Sequence, residues 1–256
     1  MTTLTATPVV DFLVRAAREY RRGGWVFTGF HWPVLAGQTA YLLPGDDFTQ
    51  VFEAGASTHE AGADLPTSTT DYPAYGNALG FTGATADVLL GLARRFDRVV
   101  LDASNVDVLG RVNSSFVGAA GHPTVRLPGG GGAPDIAARA RELVWLHGGD
   151  DLSRIQARVE HVTAAPGASS LVRLHSRWGV ARLGPEPVVE EVAVDVPGHQ
   201  EWLDHLTGLG VPASGAGERA PVQDDERAAA ARTLRDAARR GYAVARRAVI
   251  EIEEGR

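Results

Sequence analysis

VVDFLVRAAREYRRGGWVFTGFHWPVLAGQTAYLLPGDDFTQVFEAG, residues 9–55, is the stretch whose reading decides the fold. Val9-Val10-Asp11-Phe12-Leu13-Val14 opens an amphipathic helix running to about Arg22. Pro8 stands near its first turn and Gly23-Gly24 should end it. Trp25 to Gly29 then reads as a strand, and Val34 to Leu43 as a second helix with Pro33 at its start. Asp47 to Phe52 is a strand that delivers the chain to Glu53, with Ala54-Gly55 behind it. Strand alternating with helix predicts an α/β chain with a mainly parallel sheet covered by helices. Ligands of such sheets bind at the carboxyl ends of the strands. Glu53 stands at such an end.

The same alternation continues downstream. Residues 56–80, rich in Thr, Ser, Gly and Pro, read as a long loop. Loops of that length within compact domains are often functional. Ala84 to Phe96 reads as helix, Arg98 to Asp102 as buried strand, and Gly110 to Ser115 as a polar turn. Gly129 to Gly132 enters a short helix ending near Arg141, with Pro134 and Asp135 in its first turn. Leu143 to Leu146, Val159 to Thr163, Ser170 to His175 and Val188 to Val194 are strand candidates. Pro197-Gly198 precedes a helix ending near Gly208. Residues 213–224 read as a linker, and Glu226 to Glu253 as one charged helix with an apolar face. The expected organisation is a domain over residues 1–212 and a linker plus helical tail over 213–256.

Composition removes several function classes. The chain has 256 residues and 44% are apolar, enough for a sizeable core. It has no cysteine, which excludes disulfides, thiolate catalysis and cysteine-ligated metals. All 25 basic residues are arginine, so a Schiff-base lysine and a phosphate-gripping P-loop lysine are excluded. A net charge of −6 offers no overall field for nucleic acid. No signal peptide and no apolar run of about 20 residues is present, so a cytoplasmic chain without a membrane span is expected. No HExxH or clustered-histidine pattern occurs, and no metal is expected.

Three groups of residues carry chemistry. Glu53, in Val51-Phe52-Glu53-Ala54-Gly55, is a strand-terminal carboxylate before a glycine that permits positive φ. The alternative is a solvated side chain at a loop entrance. Gly129 to Gly132, leading into Ala133, offers backbone amides that could hold a thioester oxyanion or a phosphate. A flexible surface loop is the alternative. Asn113 and Ser114 could donate to a substrate, whereas Asn105 and Asp107 suit Asx-type turns.

In this order the fragments resemble the β subunits of family I coenzyme A transferases of the glutaconate type. Ala17 to Gly55 matches the opening of that family, with Glu53 at the place of its catalytic glutamate. The likeness continues through Asp102-Ala103-Ser104-Asn105-Val106-Asp107 and Gly110-Arg111-Val112-Asn113-Ser114. It runs on through His122-Pro123 to Gly130-Gly131-Gly132-Ala133, then Val159-Glu160-His161-Val162-Thr163, Pro197-Gly198 and Thr207-Gly208. It covers roughly residues 10–212. Two departures stand out. Many members have Ser before and Asn after the catalytic Glu, where this chain has Phe52 and Ala54. The first turn, normally small and glycine-rich, reads Gly29-Phe30-His31-Trp32-Pro33, so Phe30, His31 and Trp32 would reshape the acyl pocket. His31 is a candidate acid or base with a surface or packing histidine as its alternative.

The resemblance implies the three-layer α/β CoA-transferase fold, its mainly parallel sheet flanked by helices and its class shared with sugar-phosphate isomerases, and a homologous α-type partner in a heterodimer or heterotetramer. It implies coenzyme A, as acyl-CoA, and a carboxylate acceptor as substrates. Glu53 would form a glutamyl-CoA thioester, with Gly130, Gly131, Gly132 and Ala133 binding the oxyanion or CoA. Phe30, His31, Trp32, Asn113 and Ser114 would line the substrate pocket. Two alternatives remain open. One is a CoA-ester hydrolase or ring-opening hydrolase of the same superfamily, a branch that lacks the glutamate in this subunit. The other is a non-catalytic ligand-binding or supporting subunit.

Overall fold

The computed structural model describes residues 7–62, 64–68, 71 and 76–254. Among them a single ten-stranded sheet dominates. In chain order the strands are β1 (Arg22–Thr28), β2 (Asp46–Phe52), β3 (Ala56–Thr58), β4 (Leu79–Thr82), β5 (Arg98–Asp102), β6 (Val106–Asp107) and β7 (Phe116–Ala119). They continue with β8 (His122–Arg126), β9 (Glu142–His147), β10 (Ile155–Gln156), β11 (Leu171–Ser176), β12 (Gly179–Leu183), β13 (Val188–Val192) and β14 (Gly217–Glu218). The large sheet runs β14-β13-β12-β11-β9-β5-β1-β2-β3-β4. Its centre, β11-β9-β5-β1-β2, is parallel throughout. Antiparallel pairs extend it on both sides.

The parallel strands are buried on both faces, so they read as nearly continuous apolar runs. Val99, Val100, Leu101 of β5 and Leu143, Val144, Trp145, Leu146 of β9 are all buried. Alternate residues serve opposite layers. Phe27, Val99, Leu101, Leu143 and Trp145 pack with Ile136 and Trp202 on one side. Val26, Val100, Val144 and Leu146 pack with helix Pro8–Tyr20 and helix Trp32–Ala40 on the other.

Several local expectations shift. The first helix ends at Tyr20, and Gly23-Gly24 fall inside β1. Both have positive φ, and a Cβ at Gly24 would overlap the Asp97 side chain, whose carboxylate accepts from the Trp25 amide at 2.8 Å. The glycines therefore let the strand begin close against a neighbour rather than stop a helix. Residues 56–80 are not all loop, since β3 and β4 pair at their two ends, while residues 63, 69, 70 and 72–75 lie outside the described residues. The expected helix at 84–96 is reduced to a π-helical segment, Asp87–Leu92, after a short α-helical entry. Val159 to Thr163 forms no strand. The Val159 amide donates to the Asp107 carboxylate and the Thr163 amide to the Val112 carbonyl instead of to a ladder.

The charged C-terminal segment is two helices, Asp224–Arg239 and Ala243–Glu254. Gly241, at φ +92°, terminates the first in a Schellman motif: Tyr242 N–H donates to Ala237 and Gly241 N–H to Ala238. Both helices lie back on the domain. Arg18 pairs with Glu226, Asp11 with Arg227, and Arg177 with Glu251. Ala230, Leu234, Ala237, Ala245 and Ala248 are buried in the layer shared with the first helix. No helix among the described residues is long and apolar enough to cross a membrane.

Near the carboxyl end of β11, His175 is fully enclosed. Its Nδ1 accepts from the Arg219 guanidinium at 2.8 Å, and Nε2 lies 3.6 Å from Glu19. Burial depresses its pKa to about 3, against the opposing pull of Glu19. A native pKa below the unfolded value of about 6.5 means that the unfolded chain takes up a proton first as pH falls. The stability held above pH 6.5 should therefore drain away between about pH 6.5 and 3, at up to about 1.4 kcal/mol per pH unit. Urea unfolding from pH 7.5 to 4.5 measures this slope, and His175→Gln should flatten it.

Candidate active site

The register of three parallel strands builds the site. Thr28 of β1 pairs with Phe52 of β2 and with Val100 of β5. The ladder continues one step further, where the Gly29 amide donates to the Val100 carbonyl at 2.9 Å. Gly29, Glu53 and Asp102 thus emerge side by side at the carboxyl edge, where a sheet of this kind binds its ligands.

Glu53 leaves β2 through a tight turn closed by a hydrogen bond from Gly55 to Phe52 at 2.9 Å. Gly55 takes φ +99°, and a Cβ there would overlap the Gly83 carbonyl. The Glu53 side chain is half-buried, and its carboxylate has no hydrogen bond or ion pair with any described residue. Its lone pairs are uncommitted, which a nucleophile requires.

The glycine run comes to it from the other side. The Gly129 amide donates to Ser114 at 2.7 Å and the Ala133 amide to Gly130 at 2.9 Å. The amides of Gly130, Gly131 and Gly132 have no acceptor among the described residues. A Cβ added to Gly131 would lie 3.5 Å from Glu53 Oε2, and one on Gly132 only 2.9 Å from Glu53 Cδ. The carboxyl group is therefore packed directly on the bare backbone of the bend. Both face one cavity of about 330 Å³, in which Ser114, Gly129, Gly130, Gly131 and Ala133 also take part. Its floor is apolar, formed by Phe27, Leu101 and Trp145.

The first turn gives a divided result. Phe30 and His31 line the cavity; Trp32 does not. Trp32 is buried edge-on against Phe12, with ring centroids 5.3 Å apart. His31 is the one non-glycine among the described residues with positive φ, at φ 63° and ψ −117°. An L side chain held there costs roughly 1–3 kcal/mol. Its Nδ1 lies 3.6 Å from Asp102 Oδ2, so the imidazole does have a partner. Asn113 is spent on local structure. It donates to the Phe116 carbonyl and accepts from the amides of Ser115 and Phe116. Asp107 is likewise consumed, by Leu109, Arg111 and Val159.

The lining residues not singled out as site residues from sequence include Asp102, Ser104 and Trp145. The first two were detectable, since β5 ends at the same edge as β2 and a polar residue just past that end faces the same ligand. Trp145 lies within a buried apolar strand, which hides any role at the cavity floor.

A free carboxylate stands against a glycine bend at the carboxyl edge of a parallel sheet, and known proteins resemble this chain in sequence or fold. No protein-family profile matches the chain. Over 142 residues it is 32% identical to the B subunit of 3-oxoadipate CoA-transferase from Pseudomonas knackmussii. That match spans 52% of this chain and 51% of the relative, about half of each. The chain is similar to the β subunits of family I coenzyme A transferases. Solved CoA transferases share its fold. Glutaconate coenzyme A-transferase from Acidaminococcus fermentans superposes with a TM-score of 0.71 at 18% identity, covering 88% of this chain and 93% of that one. The decarboxylase AibA/AibB gives 0.70 at 22% identity over the same shares. IpdAB of Rhodococcus jostii RHA1 gives 0.63 at 16% identity, over 87% and 92%.

If the close fit around Glu53 depends on missing Cβ atoms, glycine substitutions should separate by position. Gly55→Ala, which meets the Gly83 carbonyl and needs positive φ, should cost about 2 kcal/mol or more. Gly91→Ala, with nothing within 4 Å, should be neutral or gain up to about 1 kcal/mol. Urea unfolding of the two variants beside wild type reads the difference.

Proposed function

We propose that this chain is the β-type subunit of a CoA transferase that moves CoA from an acyl-CoA to a carboxylate through Glu53. One observation carries this reading: the Glu53 carboxyl is unpaired and packed on Gly131 and Gly132, whose amides have no acceptor among the described residues. Covalent catalysis splits one difficult exchange into easier ones. A Glu53 oxygen attacks the thioester carbonyl, the C–S bond breaks, and an acyl-glutamyl anhydride and CoA thiolate result. The thiolate attacks the glutamyl carbonyl carbon, releasing the donor carboxylate and leaving glutamyl-CoA. The acceptor carboxylate then attacks the same carbon and expels the thiolate. The thiolate finally attacks the acceptor acyl carbon, giving the new acyl-CoA and free Glu53. No electrons change hands, and each carboxylate consumed is returned.

Every tetrahedral intermediate in this cycle carries an oxyanion beside the glycine bend. The unpaired amides there are the donors, and each such donor is worth roughly 3 kcal/mol of barrier. They are held by the fold and need no reorganisation as charge develops. Coenzyme A enters as substrate, with the thioester at Glu53 and the acyl chain over Trp145. A second, α-type polypeptide completes the enzyme in this reading. Its support is that the Pseudomonas relative is named as one subunit of its enzyme and that AibA/AibB has a two-part name.

Incubation with acyl-CoA should leave a glutamyl-CoA adduct on the peptide containing Glu53, visible by mass spectrometry. Glu53→Gln should lose that adduct and reduce transfer by about 10³-fold or more with unchanged unfolding behaviour. CoA release without any carboxylate acceptor would instead identify a hydrolase. Full activity in the Glu53→Gln protein would sink the covalent mechanism.

A further inference from the structure

The polar lining of the Glu53 cavity is unbalanced in charge. Two carboxylates face it, Glu53 and Asp102, with one imidazole, His31, and the hydroxyls of Ser104 and Ser114. Among the described residues no arginine belongs to the lining, although arginine is the only strong cation this sequence contains. A second carboxylate on a bound acyl chain would find no fixed cation on this wall and two like charges already in place. Carboxylate recognition normally uses the planar guanidinium fork.

His31 supplies a different kind of contact. It holds a backbone conformation that glycine adopts freely, and the side chain is kept there despite the strain. Its carbonyl accepts from the Leu35 amide, but its side chain makes no hydrogen bond to the helix it precedes, so side-chain capping does not explain it. Asp102 stands at its Nδ1, and Nε2 has no partner among the described residues. Phe30 packs beside the imidazole at 4.9 Å and is itself backed by Tyr242 at 5.3 Å. An imidazole oriented by a carboxylate and steadied by rings is a positioned hydrogen-bonding group with one free nitrogen.

The geometry points to an acyl-CoA whose acyl chain is uncharged and bears a hydroxyl or keto oxygen, recognised by His31, with Asp102 both orienting that imidazole and repelling dicarboxylic chains. This deepens the transfer reading and rests on it for the presence of an acyl-CoA. It also separates this chain from relatives that are named for dicarboxylates, 3-oxoadipate and glutaconate. His31 is a specificity residue in this scheme, and Asp102 a positioning one.

A matched four-carbon series tests it: 3-hydroxybutyryl-, acetoacetyl-, butyryl- and succinyl-CoA. Binding to the full-length Glu53→Gln protein is measured by calorimetry, so that turnover does not blur the dissociation constants. The hydroxy or keto ester should bind about tenfold more tightly than butyryl-CoA, and succinyl-CoA at least tenfold more weakly than either. Adding His31→Gly should erase the oxygen preference while raising the melting temperature, because glycine relieves the turn. Adding Asp102→Asn should narrow the penalty on succinyl-CoA. Equal affinities across the series, tightest binding of succinyl-CoA, no measurable binding of the oxygenated esters, or a His31→Gly protein that is less stable with unchanged preferences would each overturn the assignment. Failure of the transfer reading appears elsewhere, as absence of the glutamyl-CoA adduct in the wild-type chain.

Discussion

The carboxyl group of Glu53 rests on backbone that has no side chains to push it away. A single methyl group on Gly132 would come within 2.9 Å of its carboxyl carbon and of Leu89. That close approach brings together two segments more than seventy residues apart in sequence. Much of the surrounding geometry serves it. Gly55 turns the chain so that the carboxylate stays at the strand end, and the bond from Gly129 to Ser114 holds the bend over it. The parallel register of β1, β2 and β5 decides which residues arrive at that edge together.

Charge is divided between the two ends of the sheet. At the amino-terminal edge, Glu142 receives both Arg22 and Arg173 at 2.6 Å, and Arg173 also reaches Glu190 at 2.9 Å. Such partly exposed pairs contribute little individually, but together they occupy the cations of that region. The carboxyl edge is the reverse. Glu53 carries no counter-ion among the described residues, and Asp102 has imidazoles near it, His31 at 3.6 Å and the buried His147. A carboxylate left without an arginine keeps its electron pairs free, so the separation of charge along the strands suits the proposed transfer as much as the shape of the cavity does.

The central architecture could be read from sequence because buried parallel strands announce themselves as apolar runs such as Arg98–Asp102 and Glu142–His147. Glu53 was readable for a related reason, since it ends a parallel strand; the glycine bend was readable from its composition, but it follows β8 of the separate two-stranded sheet, so only tertiary contact places it against Glu53. What escaped was decided by tertiary contact. Gly23-Gly24 look like a helix stop but serve the start of β1, because Asp97, far along the chain, occupies the space a Cβ would need. The hairpin of β7 and β8 is half-exposed and carries Pro123, so no periodic pattern marks it. Asn113 was grouped with Ser114 as a possible donor, yet only the structure shows its amide tied to Phe116 while Ser114 faces the cavity. The partner of His31 lay seventy-one positions away and could not be seen by spacing.

Tyr242 connects two regions that a linear view keeps apart. Its hydroxyl donates to the Pro66 carbonyl, and its ring backs Phe30, whose other neighbour is His31. The C-terminal helices therefore act as a buttress behind one wall of the Glu53 cavity. A chain cut short before Tyr242 would lose the ring that backs Phe30, and with it the aromatic support on the side of the cavity that faces Glu53.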